Sequence, residues 1–219
     1  GCVTFDVSGR AGRTIEARIM GSLQPSAVSL GEKPVPIGQS ADGSRLNLTM
    51  AGEEENCRVE GGRLRDSDAA LAARGWIKPG AYIALAKQPG KFKAPFKLPK
   101  TLEGYLYPET YGVLPDNFDL QGLMQRQLNK FSERFYEPHK DEIASCGRTL
   151  DELVRMASML EREEPMPKQR PLVAGILWKR IDMNFPLGVD ATSRYELDKW
   201  NDRKAFLVKL RDKSNAYNT

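Results

Sequence analysis

The segment that decides the fold of the second half of the chain reads TLDELVRMASMLEREEP at residues 149–165. Thr149, followed three residues later by Glu152, has the spacing of a helix-capping box, in which each residue satisfies the other's backbone amide. Pro165 closes the segment, because proline is poorly tolerated inside a helix. The segment therefore predicts a helix over residues 150–164.

One face of this predicted helix is apolar and includes a glutamate. At about 100° per residue, that face consists of Leu150, Leu153, Val154, Ala157 and Leu160. Glu161 falls within about 20° of Leu150 and Val154. A carboxylate placed there loses solvation, which favours its protonated form, and a general acid that works near neutral pH needs that form. The alternative is that Glu161 pairs with a basic residue of a neighbouring helix, or that its side chain extends into solvent at the helix edge.

Other catalytic classes find little support in the sequence. The chain of 219 residues contains one histidine, His139, in a polar stretch that reads as a surface turn, and three cysteines without a C-x-x-C motif. It contains no nucleophile elbow, no P-loop and no dinucleotide fingerprint, and no His/Cys cluster for zinc. A net charge of +4 is too small to argue for nucleic acid. Carboxylate chemistry remains.

The first half of the chain has a different pattern. Residues 14–19 and 46–50 alternate between apolar and polar, and Gly and Pro punctuate the stretch, so residues 1–57 predict short β-strands. Cys2 and Cys57 form a disulfide in an oxidising compartment or stay as thiols in a reducing one, and both alternatives remain open. The chain contains no apolar run of roughly 20 residues, and its start has no signal-peptide pattern.

Residues 58–98 predict two short helices. Asp66, Ser67 and Asp68 are suitable caps for a helix that Gly75 ends, and Pro79 suits the first turn of a second helix through residues 82–86. With a strand at Val59 this gives a βαα(β) unit that resembles the LysM-like module of cell-wall proteins. The lysine-rich stretch 87–100 suits contact with an anionic polymer. Its prolines favour instead a solvated linker with inward-facing Phe rings.

A resemblance to a known family rests on four motifs in order. Residues 102–111, read as LEGYLYPETY, closely resemble a segment of the YceG-like family, the endolytic murein transglycosylases. Residues 157–163 (ASMLERE) are similar to the family's stretch whose first glutamate is catalytic, which is Glu161 here. Residues 187–195 (LGVDATSRY) look like the family's Leu-Gln-x-Asp-Pro-Thr-x-x-Tyr, and residues 217–219 match its Tyr-Asn-Thr element. This chain departs from the family's sequence in three places. Gly188 stands where the family has Gln, Ala191 stands where it has Pro, and residues 179–181 (KRI) stand where it has Asn-Arg-Leu.

The patterns and the resemblance together predict an α+β fold in three parts: a small β-rich N-terminal segment (1–57), a LysM-like βαα(β) subdomain with a linker (58–98) and a mainly helical catalytic domain (99–219). The resemblance to the YceG-like family does not extend to residues 1–57. Family members continue past the Tyr-Asn-Thr element into a Gly-Leu-Pro-Pro-Gly loop, so the expected catalytic domain is truncated at its C-terminus. The expected chemistry is cleavage of the β-1,4 bond between N-acetylmuramic acid and N-acetylglucosamine, with formation of a 1,6-anhydro end. Glu161 serves as both acid and base.

The residues expected to contact the glycan strand all come from the family motifs. They are Glu103, Tyr105, Tyr107, Glu109, Asp190, Thr192, Tyr217 and Asn218. The string 103–111 mixes aromatic and polar groups that suit sugar rings, and its alternative role is that of a structural strand. No metal and no cofactor is implied.

Three other functions stay open at this point. The substitutions at Gly188 and Ala191 favour a non-catalytic wall-binding module. An older label of the family, aminodeoxychorismate lyase, requires pyridoxal phosphate on a Schiff-base lysine, and no glycine-rich phosphate cradle lies near any lysine. A hydrolase would pair Glu161 with Glu164 or Asp190.

The resemblance also implies partners and a location. Family members carry one N-terminal membrane helix and work beside the synthetic penicillin-binding proteins. We therefore expect a single-pass protein of the cell membrane, with this region on the extracytoplasmic side.

Overall fold

The α+β class expected from the sequence is confirmed. The computed structural model describes residues 14–18, 29–30, 33–34, 37–39, 45–49, 55–215 and 217. The chain divides into two compact units, Gly1–Lys130 and Phe131–Thr219. No helix in these described ranges is both long and apolar enough to cross a membrane. The predicted domain boundaries at 57/58 and 98/99 stay predictions.

The strands of the N-terminal segment form two small antiparallel sheets. The first has the order β1–β5–β4, with β1 at Thr14–Arg18, β4 at Ile37–Gln39 and β5 at Arg45–Thr49. Strands β1 and β5 pair in a register that places Thr14 opposite Thr49. The second pairs β2 (Ser29–Leu30) with β3 (Lys33–Pro34). The two alternating stretches at 14–19 and 46–50 were thus correctly predicted to be strands. Cys57 is a free thiol in the structure, which corresponds to the alternative without a disulfide, and Cys2 lies outside the described residues.

A third sheet and two helices come next in the first unit. Strand β6 (Glu55–Arg58) pairs antiparallel with β7 (Thr110–Val113), which places Cys57 opposite Tyr111. Helices α1 (Leu64–Ala73) and α2 (Ala81–Ala86) lie between these strands in sequence. Helices α1 and α2 fall within the predicted unit, but β6 ends at Arg58, one residue before Val59, and β7 lies beyond residue 98. The likeness to LysM stays an interpretation of the sequence. Burial raises the pKa of the Cys57 thiol, and Arg74 opposes the shift by donating to Sγ at 3.5 Å.

The predicted cap of α1 is wrong, because Asp68, one of the residues expected to cap it, caps α2 instead. The N-cap of α1 is Arg63, and Asp66 lies inside the first turn, where its carboxylate accepts from the Arg63 backbone N–H at 3.1 Å. Asp68 is buried, and its carboxylate is bound to the start of α2. Its two carboxylate oxygens accept from the backbone N–H groups of Gly80 (2.7 Å) and Tyr82 (2.9 Å), so it caps α2 instead. Pro79 precedes this helix, and the left-handed Gly80 is its N-cap.

Helix α3 (Leu120–Phe131) supplies much of the core of the first unit. Leu123, Met124 and Leu128 are fully buried, as is the side chain of Gln127, whose Oε1 accepts from the Tyr82 hydroxyl at 2.8 Å. The same core includes Tyr82, Leu102, Tyr105, Tyr111 and Val113. Two short 3-10 turns, Pro89–Lys91 and Pro115–Asn117, complete the described regular structure of this unit.

The second unit is helical throughout its described elements. A π-helical turn at Ser132–Tyr136 precedes α4 (Glu137–Ser145), α5 (Leu150–Glu163), α6 (Arg170–Asp182), α7 (Asp190–Arg194) and α8 (Arg203–Arg211). His139 lies in α4 rather than in a turn. It is exposed as expected, with Nδ1 3.1 Å from Glu142 Oε2.

The predicted capping box of α5 is confirmed. The Glu152 backbone N–H donates to Thr149 Oγ1 at 3.2 Å, and the Thr149 backbone N–H donates to the Glu152 carboxylate at 2.7 Å. We expect Thr149→Ala to cost about 1 kcal/mol of unfolding free energy, because the first turn loses its side-chain acceptor. Urea unfolding followed by circular dichroism measures the loss, and Thr149→Ser, which keeps the hydroxyl, should recover most of it.

The same box makes this loss depend on pH. Hydrogen bonds from the Thr149 backbone and hydroxyl hold the pKa of Glu152 below its usual range. The carboxylate therefore contributes stability above its unfolded pKa of about 4.3, and the contribution is lost as the pH falls through the folded value. The difference between parent and Thr149→Ala should shrink in acid. An equal difference at neutral and acidic pH would contradict this assignment.

Candidate active site

Three glutamates lie at the end of α5, and their carboxylates differ in their hydrogen bonds. Glu163 Oε2 accepts a long hydrogen bond, 3.4 Å, from the backbone N–H of Ala191. Glu164 Oε1 accepts from the backbone N–H of Met166 at 2.8 Å. Glu161 is exposed, and its carboxylate has no hydrogen bond or ion pair with any residue in the described part of the chain. Of the three, Glu161 alone has a carboxylate that is not already engaged.

The predicted burial of Glu161 is wrong. Met156, at 3% exposure, is the most buried residue of α5, and Met159 and Leu160 pack with it against the core. The face drawn from Leu, Val and Ala residues omitted both methionines, and Ala157 is in fact exposed. At about 100° per residue the helix therefore turns Glu161 roughly 140° away from Met156, towards solvent. The position proposed for catalysis is unchanged, but its side chain is exposed to solvent rather than buried.

The core that holds α5 is built around α6 and α7. Met156, Leu177, Val189 and Ala191 are its buried members. Partly buried residues packed against them are Met159, Leu160, Val173, Trp178, Leu187 and Trp200. Because Val189 and Ala191 flank Asp190, burying them fixes the start of α7 beside α5, and the Glu163–Ala191 hydrogen bond adds to that attachment.

The turn before α7 explains one departure from the family motif. Gly188 has a left-handed backbone, with φ of +61°, a conformation that glycine adopts readily and glutamine does not. A Cβ added at this position would lie 3.4 Å from Arg180 Nη1, and the same guanidinium donates to the Leu187 carbonyl. Glycine at 188 is therefore what this turn requires.

Asp190 and Thr192 have different environments on α7. Asp190 is exposed and makes no hydrogen bond with another described residue. The Thr192 hydroxyl donates to the Val189 carbonyl at 2.7 Å, which stabilises the first turn of the helix. Asp190 is thus available to a ligand, whereas Thr192 already has a structural role.

Arginine and aromatic side chains lie next to these acids along the chain. The Arg162 guanidinium lies 5.0 Å from the centre of the Trp200 ring, and Arg194 donates to the Trp200 carbonyl at 3.0 Å. The centres of the Tyr195 and Tyr217 rings are 5.2 Å apart, so Tyr217 lies against the last residue of the motif at 187–195. Asn218 lies outside the described residues, and its role stays a prediction.

Four predicted contact residues belong to the first unit. The Glu103 carboxylate accepts from the Leu64 backbone N–H at 3.1 and 3.3 Å, which caps α1. Tyr105 is 1% exposed and its ring lies 6.0 Å from that of Phe96. We correct the expectation for Tyr105, because a side chain so buried offers no surface to a glycan strand.

Tyr107 and Glu109 are half-buried next to β7. The Tyr107 carbonyl accepts from the Tyr111 hydroxyl at 2.8 Å, and burial raises the pKa of Tyr111 to about 12. Glu109 lines an open cleft of about 410 Å³ with Arg58, Val59, Glu60, Gly61, Pro108 and Thr110. Glu109 is therefore accessible to a ligand, and its contact with substrate stays a prediction.

Comparison with known proteins places this arrangement in a family. A model of the YceG-like family matches residues 43–219, which include every candidate residue named above. The chain belongs to the YceG-like family. The resemblance that the four motifs indicated is thereby confirmed.

Two relatives within the family share a name. The endolytic murein transglycosylase of Bacillus subtilis (strain 168) is 30% identical over 118 residues, which are 54% of this chain and 32% of the relative. That of Streptococcus pneumoniae serotype 2 (strain D39 / NCTC 7466) is 31% identical over 86 residues, 39% of this chain and 15% of the relative. The matched segments thus span about a third or less of these curated relatives.

A solved YceG-like protein supports the fold. The crystal structure of the protein from Listeria monocytogenes has a TM-score of 0.60 with 20% identity, over 75% of this chain and 59% of that one. At this identity the likeness concerns the fold alone.

Sequence reasoning missed the residues that organise the candidate site. The Glu163–Ala191 hydrogen bond and the Arg162–Trp200 contact join segments about 30 to 40 residues apart, so no local pattern reveals them. Two methionines on the buried face were visible in the sequence and would have corrected the orientation of Glu161. Within the described residues, no group of three or more His, Cys, Asp or Glu side chains is placed to hold a metal.

Proposed function

We propose that this chain is the catalytic region of a lytic transglycosylase that cuts the glycan strands of peptidoglycan. The bond broken is the β-1,4 bond between N-acetylmuramic acid and N-acetylglucosamine. Membership in the YceG-like family and the shared name of the two relatives support this assignment.

The observation that carries the proposal is the free carboxylate of Glu161. A general acid–base group has to reach the substrate, and a carboxylate already bound to the backbone would have to release its partner first. Glu161 is exposed without such a partner among the described residues, while Glu163 and Glu164 both accept backbone N–H groups. It also occupies the position of the family's catalytic glutamate.

A single carboxylate is sufficient for the proposed reaction. Protonated Glu161 gives its proton to the glycosidic oxygen as the bond from that oxygen to the muramyl C1 breaks. The carboxylate then removes the proton of the muramyl 6-hydroxyl, whose oxygen attacks C1 and closes the 1,6-anhydro ring. Glu161 ends the cycle protonated, and no water is consumed. A glycosidase of the hydrolytic kind would need a second carboxylate.

Contacts to the glycan strand are proposed for the exposed motif residues. Asp190 is the best placed of these, since it is unengaged and lies beside the residue that hydrogen-bonds Glu163. Glu109 lines the open cleft of the first unit, and Tyr217 is 38% exposed. Glu103, Tyr107, Thr192 and Asn218 are retained as contacts from the motif match alone.

Hydrolysis is the second candidate function, and one observation favours it. Asp190 is a second exposed carboxylate without a described partner, so it is available to act as base or nucleophile. Glu164 is a poorer second carboxylate, because it already accepts the Met166 N–H.

Mass spectrometry of peptidoglycan after incubation with the purified protein separates the candidates. Anhydro-muramyl ends are the expected product of a transglycosylase, whereas reducing ends would assign hydrolysis. Binding to the wall without any product would assign a non-catalytic module. An absorbance band of bound pyridoxal phosphate would instead revive the lyase alternative.

We further propose that the protein works at the cell membrane, anchored by a single N-terminal helix, with this chain on the extracytoplasmic side and near penicillin-binding proteins. The family resemblance supports this proposal. Protease added outside intact spheroplasts should degrade the chain, and full protection would overturn the proposed topology.

A further inference from the structure

The positive charge of the chain is concentrated in one segment. Residues 69–102 contain seven basic residues and no Asp or Glu, whereas the rest of the chain has 26 basic and 29 acidic residues. The basic residues of the segment are Arg74, Lys78, Lys87, Lys91, Lys93, Lys97 and Lys100. The net charge of +4 therefore comes entirely from this part of the first unit.

Five of these lysines lie on one closed loop, residues 87–101, which we call the lysine loop. The backbone N–H of Leu102 donates to the carbonyl of Ala86 at 3.0 Å, so the two ends of the loop meet. A compact surface loop whose ends are joined and whose own side chains fill its interior presents its remaining side chains on a small area. The five charges thus belong to one closed loop rather than to an extended linker.

Side chains of α3 fix the conformation of the lysine loop. Gln125 accepts from the Lys93 backbone N–H at 3.0 Å and donates to the Lys93 carbonyl at 2.8 Å. Gln121, one turn earlier on α3, donates to the Lys91 carbonyl at 3.2 Å. Phe92 is buried at 6% exposure, so the expectation of inward-facing Phe rings is confirmed there. These hydrogen bonds and the burial of Phe92 attach the loop to the first unit, whereas a solvated linker would lack such contacts.

The lysine side chains themselves are uncompensated. All five are exposed, and none forms an ion pair or a side-chain hydrogen bond with a residue in the described ranges. Keeping like charges together costs free energy through their mutual repulsion. A fixed cluster of this kind therefore indicates an anionic partner.

We propose that the lysine loop is a docking surface for an anionic lipid bilayer. Lysine is a compact point charge on a flexible stem, whereas bidentate recognition of single carboxylates favours arginine, which the loop lacks. Stacking on sugar rings would need exposed aromatic faces, but Phe92 is buried and Phe96 lies against Tyr105. The loop thus offers charge without a shaped pocket, and clusters of four to eight basic residues typically bind anionic lipid headgroups.

Vesicle co-sedimentation with the purified protein tests the proposal. The protein should sediment with vesicles that contain about one third phosphatidylglycerol, and not with phosphatidylcholine alone, since each lysine near the surface contributes about a fivefold gain in partitioning. The triple variant Lys91→Gln/Lys93→Gln/Lys97→Gln should lower the partition coefficient at least about tenfold. High salt should release the parent protein, because screening shortens the reach of the charges.

A matched variant controls for net charge. Lys168→Gln/Lys204→Gln/Lys213→Gln removes the same charge from exposed lysines of the second unit and should leave the partition coefficient within about twofold of the parent, because these lysines lie outside the loop. Equal losses in the two variants, or no sedimentation of the parent, would overturn the proposal. The proposal would also be overturned if the first variant lost binding to purified peptidoglycan but kept its partitioning to vesicles. Circular dichroism confirms that both variants are folded.

Discussion

Glu161→Gln is expected to lower the rate at which 1,6-anhydro ends are released from peptidoglycan by at least about 100-fold, and by up to about 10⁴-fold. The amide has nearly the same shape as the carboxyl group, but it neither gives a proton to the leaving oxygen nor takes one from the 6-hydroxyl. Both halves of the proposed reaction therefore fail. Release is measured by mass spectrometry under single-turnover conditions.

The same structure predicts that this variant is as stable as the parent. Glu161 is exposed and has no hydrogen-bond or ion-pair partner among the described residues, so its replacement removes no such native interaction, and surface changes of this kind usually stay within about 0.5 kcal/mol. A variant that loses activity and keeps its urea midpoint separates catalysis from folding. Loss of activity together with a lowered midpoint would contradict the role assigned here.

Glu163→Gln and Asp190→Asn are the matched controls. The Glu163 carboxylate accepts the Ala191 N–H, and an amide oxygen accepts the same bond, so we expect a much smaller loss than at Glu161. Asp190→Asn should weaken substrate binding and preserve anhydro products in a transglycosylase. If it instead abolishes turnover as fully as Glu161→Gln, and the parent yields reducing ends, the enzyme is a hydrolase that uses two carboxylates.

The sequence predicted local features of the site better than its orientation. The capping box of α5 depends on residues three apart, and it was found with both hydrogen bonds. The side of α5 that faces the core depends on what packs against it, and the contact partners Leu177, Val189 and Ala191 come from distant parts of the chain. Methionine fills irregular gaps in such cores, so a pattern based on Leu, Val and Ala placed Glu161 on the wrong side.

The first unit shows the same division between local and distant information. Gly75 was correctly predicted to end α1: its φ is +74°, and the Trp76 backbone N–H reaches back to the Leu71 carbonyl at 3.3 Å. Asp68, by contrast, was assigned to the start of its own helix. Its partners Gly80 and Tyr82 lie 12 and 14 residues away, and a capping residue gives no sequence signal at that distance.

Asp68→Ala is expected to destabilise the first unit by about 3 kcal/mol. Asp68 is 6% exposed, and the substitution leaves the Gly80 and Tyr82 N–H groups without acceptors next to the core. Each buried donor left unsatisfied costs roughly 1 to 3 kcal/mol. The loss should appear first in α2, because this short helix has no side-chain cap of its own.

Hydrogen exchange of the α2 amides, followed at increasing urea, measures the loss where it arises. Asp119→Ala is the matched control in the same unit, since exposed Asp119 accepts the Gly122 N–H at 2.9 Å at the start of α3. Water replaces that exposed cap, so we expect only about 1 kcal/mol there. Asp68→Asn should fall between the two, because its amide oxygen still accepts one of the two N–H groups while its NH₂ group faces the other. If Asp68→Ala costs no more than Asp119→Ala, the buried carboxylate is not what holds α2 in place, and α2 must then depend on the burial of Tyr82 and Ala86 alone.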